Sequence, residues 1–238
     1  MITNIIDSIQ WHKAGIAEMC GQKDGKKYFY MKILQEDVAV GKKIIICSRD
    51  MSCFEVLFDS EYFQDNFYIE FVILVNSCRE VGKDRCIIFH CTGVLNKLNQ
   101  KVYLFMGKSG SGKSTIAKMI GVENPVYQVL SDDRIIVSKS ENVYYAYGTP
   151  WISDSNMTVN RSGVLDSIFV LYHADEIMLE DIVNPIDELV KNVFGFPVWG
   201  MNYARVMLSE INLLSMNSKI YKLGFSLESD ISIFLYIK

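Results

Sequence analysis

Proline is scarce in this 238-residue chain, with four in all, and no serine- or glycine-rich linker interrupts it. A domain boundary must therefore be read from a change of pattern. Internal repeats and low-complexity tracts are also missing. Six cysteines are too few for a disulfide scaffold. A basic excess is absent too: 24 Lys and Arg face 28 Asp and Glu, for a net charge of −4. That excludes a general nucleic-acid binder, whose affinity comes from neutralising phosphates. The longest apolar runs, such as 71–75, and others such as 86–89 fall far short of the ~20 residues a membrane-spanning helix needs. The first eleven residues include Asp7 and no basic apolar ramp, so they do not read as a signal peptide. The expectation is a cytoplasmic protein with reduced thiols, no membrane insertion and no nucleic-acid partner. With 50% hydrophobic and 22% charged residues, a globular chain of one or two domains follows.

Pattern changes divide the chain at about residue 60. Residues 1–59 read as a β-rich segment, with strands at 27–34, 43–47 and 54–58 punctuated by Gly25 and Gly41. From 60 to 78 the period shifts to three or four, through Phe63, Phe67, Phe71, Leu74, Val75 and Cys78, which is a helix stripe. Strands are expected at 85–91 and 101–106, with a turn near 96–100. Asn184 caps a helix that starts at Pro185, shows Ile186, Leu189, Val190 and Val193 on one face, and ends at Gly195. A second helix over 202–216 carries Ala204, Met207, Leu208, Ile211 and Leu214, and a strand follows at 219–225. Alternating strands and helices predict an α/β fold, with residues 60–238 as the main domain.

The central motif is GKSGSGKS over 107–114, which fits GxxxxGK[ST] between an apolar strand (102–106) and a helical stretch (115–120). Gly107, Gly110 and Gly112 let successive N–H groups, including those of Ser109, Ser111 and Thr115, curl around an anion without Cβ clashes. The following helix turns its positive end toward phosphates. Lys113 brings a cation to the β- and γ-phosphates, and the Ser114 hydroxyl suits Mg²⁺. A dinucleotide fingerprint would need glycine at Thr115 and would leave Lys113 without a role.

Asp132-Asp133 follows the apolar run 126–130, nineteen residues after Lys113. If that run pairs in parallel with 102–106, a right-handed crossover brings both carboxylates beside the phosphates. One then faces Mg²⁺ and the other accepts a proton from an attacking hydroxyl. The plain alternative is a polar turn. His90, at the end of an expected strand, is either a structural histidine or a site residue. Cys78, Cys86, His90 and Cys91 lack the tight pair of a structural zinc site. Asp175-Glu176 reads as a solvated strand end or as the carboxylates of an ATPase. The tract 144–151 (YYAYGTPW) reads as core-facing aromatics or as an edge that stacks a base.

Taken together, His90-Cys91-Thr92-Gly93-Val94, the motif at 107–115, Ser131-Asp132-Asp133 and Gly148-Thr149-Pro150-Trp151 resemble the HPr kinase/phosphorylase group. Its small serine-kinase relatives, including lasso-peptide kinases, are similar still more closely. The resemblance covers the chain from about residue 60. It implies the phosphoenolpyruvate carboxykinase-like P-loop fold, a mixed central sheet with flanking helices, and ATP with Mg²⁺. It implies Asp132 as general base, His90 orienting that aspartate, and Asp133 with Ser114 on the metal. Two departures stand out: no Leu-Glu-Ile-Arg-Gly-like segment occurs, and no longer C-terminal regulatory tail is seen. Asp154 and Asp166 are candidates for the missing acidic contact. The expected activity is transfer of the γ-phosphoryl group to a hydroxyl of a peptide, a small protein or free serine, by a chain that oligomerises in the HPr kinases. The alternatives are a P-loop ATPase using Asp175-Glu176 and a non-catalytic nucleotide-binding module.

Overall fold

Asp24 and Gly25 both take positive φ, 52° and 74°, and join β2 (Met19–Lys23) to β3 (Lys26–Gln35) as a two-residue hairpin. Such a turn matches the right-handed twist of its strands. β1 (Trp11–Lys13), β4 (Val38–Cys47) and β5 (Phe54–Phe58) complete an antiparallel five-stranded sheet in the order β1-β2-β3-β4-β5. The three strands expected here fall within β3, β4 and β5. Ile9, Tyr28, Tyr30, Ile44 and Ile46 pack together on one face, while Phe29 and Ile45 are fully buried as well.

The computed structural model describes residues 5, 7–13, 19–35, 38–48, 54–58, 86–149, 157–194 and 201–226. The helix expected at 60–78 lies outside them, as do Pro150, Trp151 and Asp154. The chain divides into two units, Met1–Asp84 with Gly195–Ala204, and Arg85–Phe194 with Arg205–Lys238. The second contains a mixed eight-stranded sheet and defines an α/β architecture with few helices.

That sheet grows from a hairpin. β6 (Cys86–Asn96) and β7 (Lys101–Met106) pair from Asn96↔Lys101 to Cys91↔Met106. The Asn96 side chain accepts the Leu98 N–H at 2.9 Å and closes the turn. β6 thus runs five residues beyond the strand expected at 85–91, and His90 sits in its middle rather than at its end. On the other edge of β7 lies β11 (Ser162–His173), parallel to it and to β13 (Lys219–Phe225). β12 (Met178–Asp181) follows antiparallel to β13.

β8 (Tyr127–Ser131) does not pair with β7 as the sequence suggested. It pairs antiparallel with β6, from Asn96↔Tyr127 to Gly93↔Ser131. Both edges of β7 are already occupied, by β6 and β11, so the crossover lands one strand further out. β6 opposes both β7 and β8, so those two still run the same way and end at one margin of the sheet. β9 (Arg134–Ser140) continues along β6 from His90↔Arg134. β10 (Val143–Gly148) pairs with β9 and also with β11, closing a ring of five strands.

Helix α1 (Lys113–Glu123) packs on β6, β7 and β8 and buries Ile116, Ala117 and Ile120. Each buried isoleucine contributes roughly 1.5–3 kcal/mol. These side chains meet Phe105, Phe169, Leu223 and Phe225 in the core. α2 (Pro185–Lys191) starts as expected, with Asn184 as N-cap. It stops at Lys191, short of Gly195, because residues 192–194 leave the helix to pair with β6. α3 (Met201–Asn217) buries Met207, Ile211 and Leu214. Leu208, expected on that face, is 42% exposed, and Glu210 occupies the stripe instead. The side chain of Ala204 lies outside the described ones.

Candidate functional site

Residues 107–112 form a loop between the end of β7 and the start of α1. Gly110 and Gly112 have φ of 79° and 96°, a region that L side chains rarely adopt. A Cβ on Gly112 would also lie 2.4 Å from Phe225 Cζ. The glycine spacing is therefore dictated twice, by backbone conformation and by the ring beneath it. The first turn of α1 has no side-chain cap and no acidic residue, so its amides remain open to an anion. Lys113 folds back over the loop, and its Nζ donates to the carbonyls of Gly107 at 2.8 Å and Lys108 at 3.1 Å. Burial pushes this amine below its ordinary range, partly opposed by the Asp133 charge. Ser109 and Gly110 are exposed, Ser111 is buried, Ser114 is exposed and Thr115 is half-buried. The Ser111 hydroxyl has no hydrogen-bond partner among the described residues. His173, at the end of β11, places Nε2 2.9 Å from the Gly110 carbonyl and holds the loop tip.

The aspartates sit where β8 gives way to β9. The Ser131 hydroxyl accepts the N–H groups of Asp133 and Arg134, both at 3.3 Å, and bends the chain there. Thr149 Oγ1 donates to the Arg134 carbonyl at 2.7 Å and fixes the bend from outside. Thr92, buried in β6, ties this bend to the loop. Its Oγ1 lies 3.2 Å from the Lys113 carbonyl and 3.3 Å from the Asp132 carbonyl. Asp132 is only 2% exposed.

The carboxylate that meets His90 belongs to Asp133, with Nε2 to Oδ1 at 3.3 Å, whereas the resemblance directed His90 to Asp132. Arg134 Nη1 pairs with the same Asp133 oxygen, and its guanidinium lies 4.0 Å above the Phe194 ring. Burial pushes the Asp133 carboxyl up, but the hydrogen bond from His90 and the Arg134 charge outweigh it and hold it below the usual carboxylate range.

A cavity of about 960 Å³ opens beside the loop. Gly107–Ser111 and His90 line one side, and the end of β11, Glu180, Lys222, Glu188 and Lys191 of α2, and Asn192 just beyond it line the rest. Neither Asp132 nor Asp133 lines the cavity, although Asp133 meets His90, which does.

Other sequence candidates lie elsewhere. Asp175 and Glu176 are exposed in the turn between β11 and β12. Asp166 pairs with Lys101 Nζ at 2.7 Å, where β7 begins, at the opposite end of that strand from the loop. Cys86 and Cys91 are both buried and alternate across β6, so with His90 they do not converge. Among the described residues, no group of three His, Cys, Asp or Glu side chains is placed to hold a metal. Tyr144 is buried and Tyr147 exposed, and none of the described tyrosines of this tract lines the cavity. Also among the described residues, no helix is long and apolar enough to cross a membrane.

Sequence reading missed Thr92, Arg134, His173 and Asn192. Asn192 is the C-cap of α2, and no local signal marks the contact its side chain makes with Gly107. No protein-family model and no curated protein matches the chain.

Proposed function

We propose that the chain is a cytoplasmic ATP-dependent kinase that moves a γ-phosphoryl group to the hydroxyl of a peptide, a small protein or free serine. It would be related in kind to the HPr kinase-like P-loop enzymes. The observation that carries this reading is the single hydroxyl of Thr92, which lies within hydrogen-bond distance of the backbones of both Lys113 and Asp132. The glycine-rich loop and the main chain of the aspartate pair thus meet at one margin of the sheet.

The loop suits a triphosphate tail, because the glycine at 112 has no room for a Cβ and the α1 amides carry no internal cap. Lys113 neutralises phosphate charge from a buried position, where electrostatic attraction is less screened. Mg²⁺, held by Ser114 and Asp133, would supply further charge neutralisation on the phosphates. Asp133 is the carboxylate that His90 and Arg134 hold ionised, both of them on its Oδ1, so its other oxygen is the one that would meet the cation. Asp132 is then left to take the acceptor's proton. The carboxylates of the ATPase alternative, Asp175 and Glu176, are exposed in the turn after β11 and do not line the cavity.

The test uses γ-labelled ATP with serine-containing peptides and free serine. Wild type transfers label, and Asp132→Asn binds Mg·ATP within about twofold of wild type while transfer falls by roughly 10²-fold or more. Full transfer by that variant overturns the base assignment. Failure of the wild-type protein to bind Mg·ATP overturns the kinase reading itself.

A further inference from the structure

β6 offers two edges, and one of them changes partner partway along. From Cys91 to Asn96 that edge belongs to β7. Before Cys91, β7 has ended and its chain has turned away into the loop at Gly107. The vacated edge is taken by residues 192–194. The His90 N–H donates to the Asn192 carbonyl at 2.7 Å, Phe194 N–H donates to the Ile88 carbonyl at 2.8 Å, and Phe89 bridges Val193. Asn192 stands at the handover. Its side-chain oxygen accepts the Gly107 N–H at 3.1 Å, and its amide donates to the Glu188 carbonyl at 2.8 Å. Its own N–H reaches Leu189 at 3.0 Å. The residue is 7% exposed, so these bonds are protected from water. Two residues further on, Phe194 supports the Arg134 guanidinium that pairs with Asp133.

We propose that Asn192 is a positioning residue that holds the His90–Asp133 pair in register with the phosphate loop. The proposal rests on the kinase reading above. Asn192 contacts the first residue of the loop through its side chain and His90 through its main chain. Neither the loop nor β6 can shift relative to the other while both bonds are made. Glu188 and Lys191 on α2, whose C-cap is Asn192, line the same cavity as His90 and Gly107.

The test compares Asn192→Ala and Asn192→Asp with wild type. Readouts are Mg·ATP and inorganic pyrophosphate affinities by calorimetry, the Gly107 amide proton by NMR, and γ-label transfer. Asn192→Ala loses the acceptor for Gly107. Its Gly107 amide proton moves upfield, pyrophosphate binds up to about tenfold more weakly, as expected for one lost hydrogen bond, and transfer falls further than binding. Asn192→Asp keeps an acceptor and retains the Gly107 shift, while its charge weakens pyrophosphate binding. A residue that merely stabilises the fold would lower Tm in both variants and leave affinities and transfer per folded molecule unchanged, even though the Gly107 amide shifts in Asn192→Ala. That outcome overturns the proposal. Wild-type protein that binds neither Mg·ATP nor pyrophosphate overturns the kinase reading instead, and the Gly107 shifts of the two variants still decide whether Asn192 fixes the loop.

Discussion

Replacing Gly112 with alanine perturbs the site at its tightest point. Two costs are legible. The φ of 96° places an L residue outside its comfortable range, at roughly 1–2 kcal/mol. The new methyl would lie 2.4 Å from Phe225 Cζ and 3.2 Å from Cε1, and Phe225 is itself 1% exposed, so the ring has little room to retreat. Overpacking of this kind costs roughly 1–3 kcal/mol. Together the two amount to about 2–5 kcal/mol, a large share of the ~5–15 kcal/mol that holds a domain folded. Urea unfolding reads this as a lower midpoint at unchanged slope. A double-mutant cycle separates the terms. Phe225→Leu removes Cζ and both Cε atoms, so in that background Gly112→Ala should cost only the backbone share, about 1–2 kcal/mol. Equal costs in the two backgrounds would refute the steric argument, and no cost in either would refute both halves of it.

Two further outcomes follow from groups away from the loop. Burial raises the Asp166 carboxyl, but bonds from Lys101 Nζ and Ser167 Oγ, each 2.7 Å, outweigh it and depress the native value below the model-compound 3.8. The resulting stability is present above pH 3.8 and lost as pH falls through the native value. Asp166→Asn should therefore lower stability by about 1 kcal/mol at pH 7, a modest figure because the Lys101 amine is half solvated, and the gap from wild type should close below about pH 3.8 in thermal melts. A gap that widens on acidification would contradict the assignment. Burial also pushes the Cys91 thiol up, and Cys86 is enclosed too. Peptide mapping after a thiol reagent at pH 8 should find both unlabelled in native protein and labelled in denaturant. Rapid native labelling of Cys91 would show that its strand opens readily.

How far the sequence could be read depends on how far each contact reaches along the chain. The loop at 107–112 was legible because a curled backbone demands glycine at fixed local spacing. The start of α2 was legible for the same reason, since Asn184 and Pro185 act within one turn. The end of α2 was not, because the chain there answers to β6 rather than to its own helix. Thr92 reaches 40 residues to Asp132, and Asn192 reaches 85 residues to Gly107. Nothing in the local pattern marks such partners. The neighbour of β8 was hidden for a related reason. Which edge of β7 is open depends on the hairpin before it and on a strand some sixty residues later. The pairing of His90 with Asp133 follows from the bend that Ser131 imposes, a detail of backbone direction that alternating hydrophobicity does not encode.

β10 joins β9 on one side and, from Tyr145 to Tyr147, β11 on the other. A closed circuit of strands has no outermost member, so no foreign strand can add to it by edge-to-edge templating. The backbone groups around His90 are covered by β9 on one edge and by residues 192–194 on the other. Among the described strands, β12 pairs with β13 alone, and its Glu180 lines the cavity beside the loop.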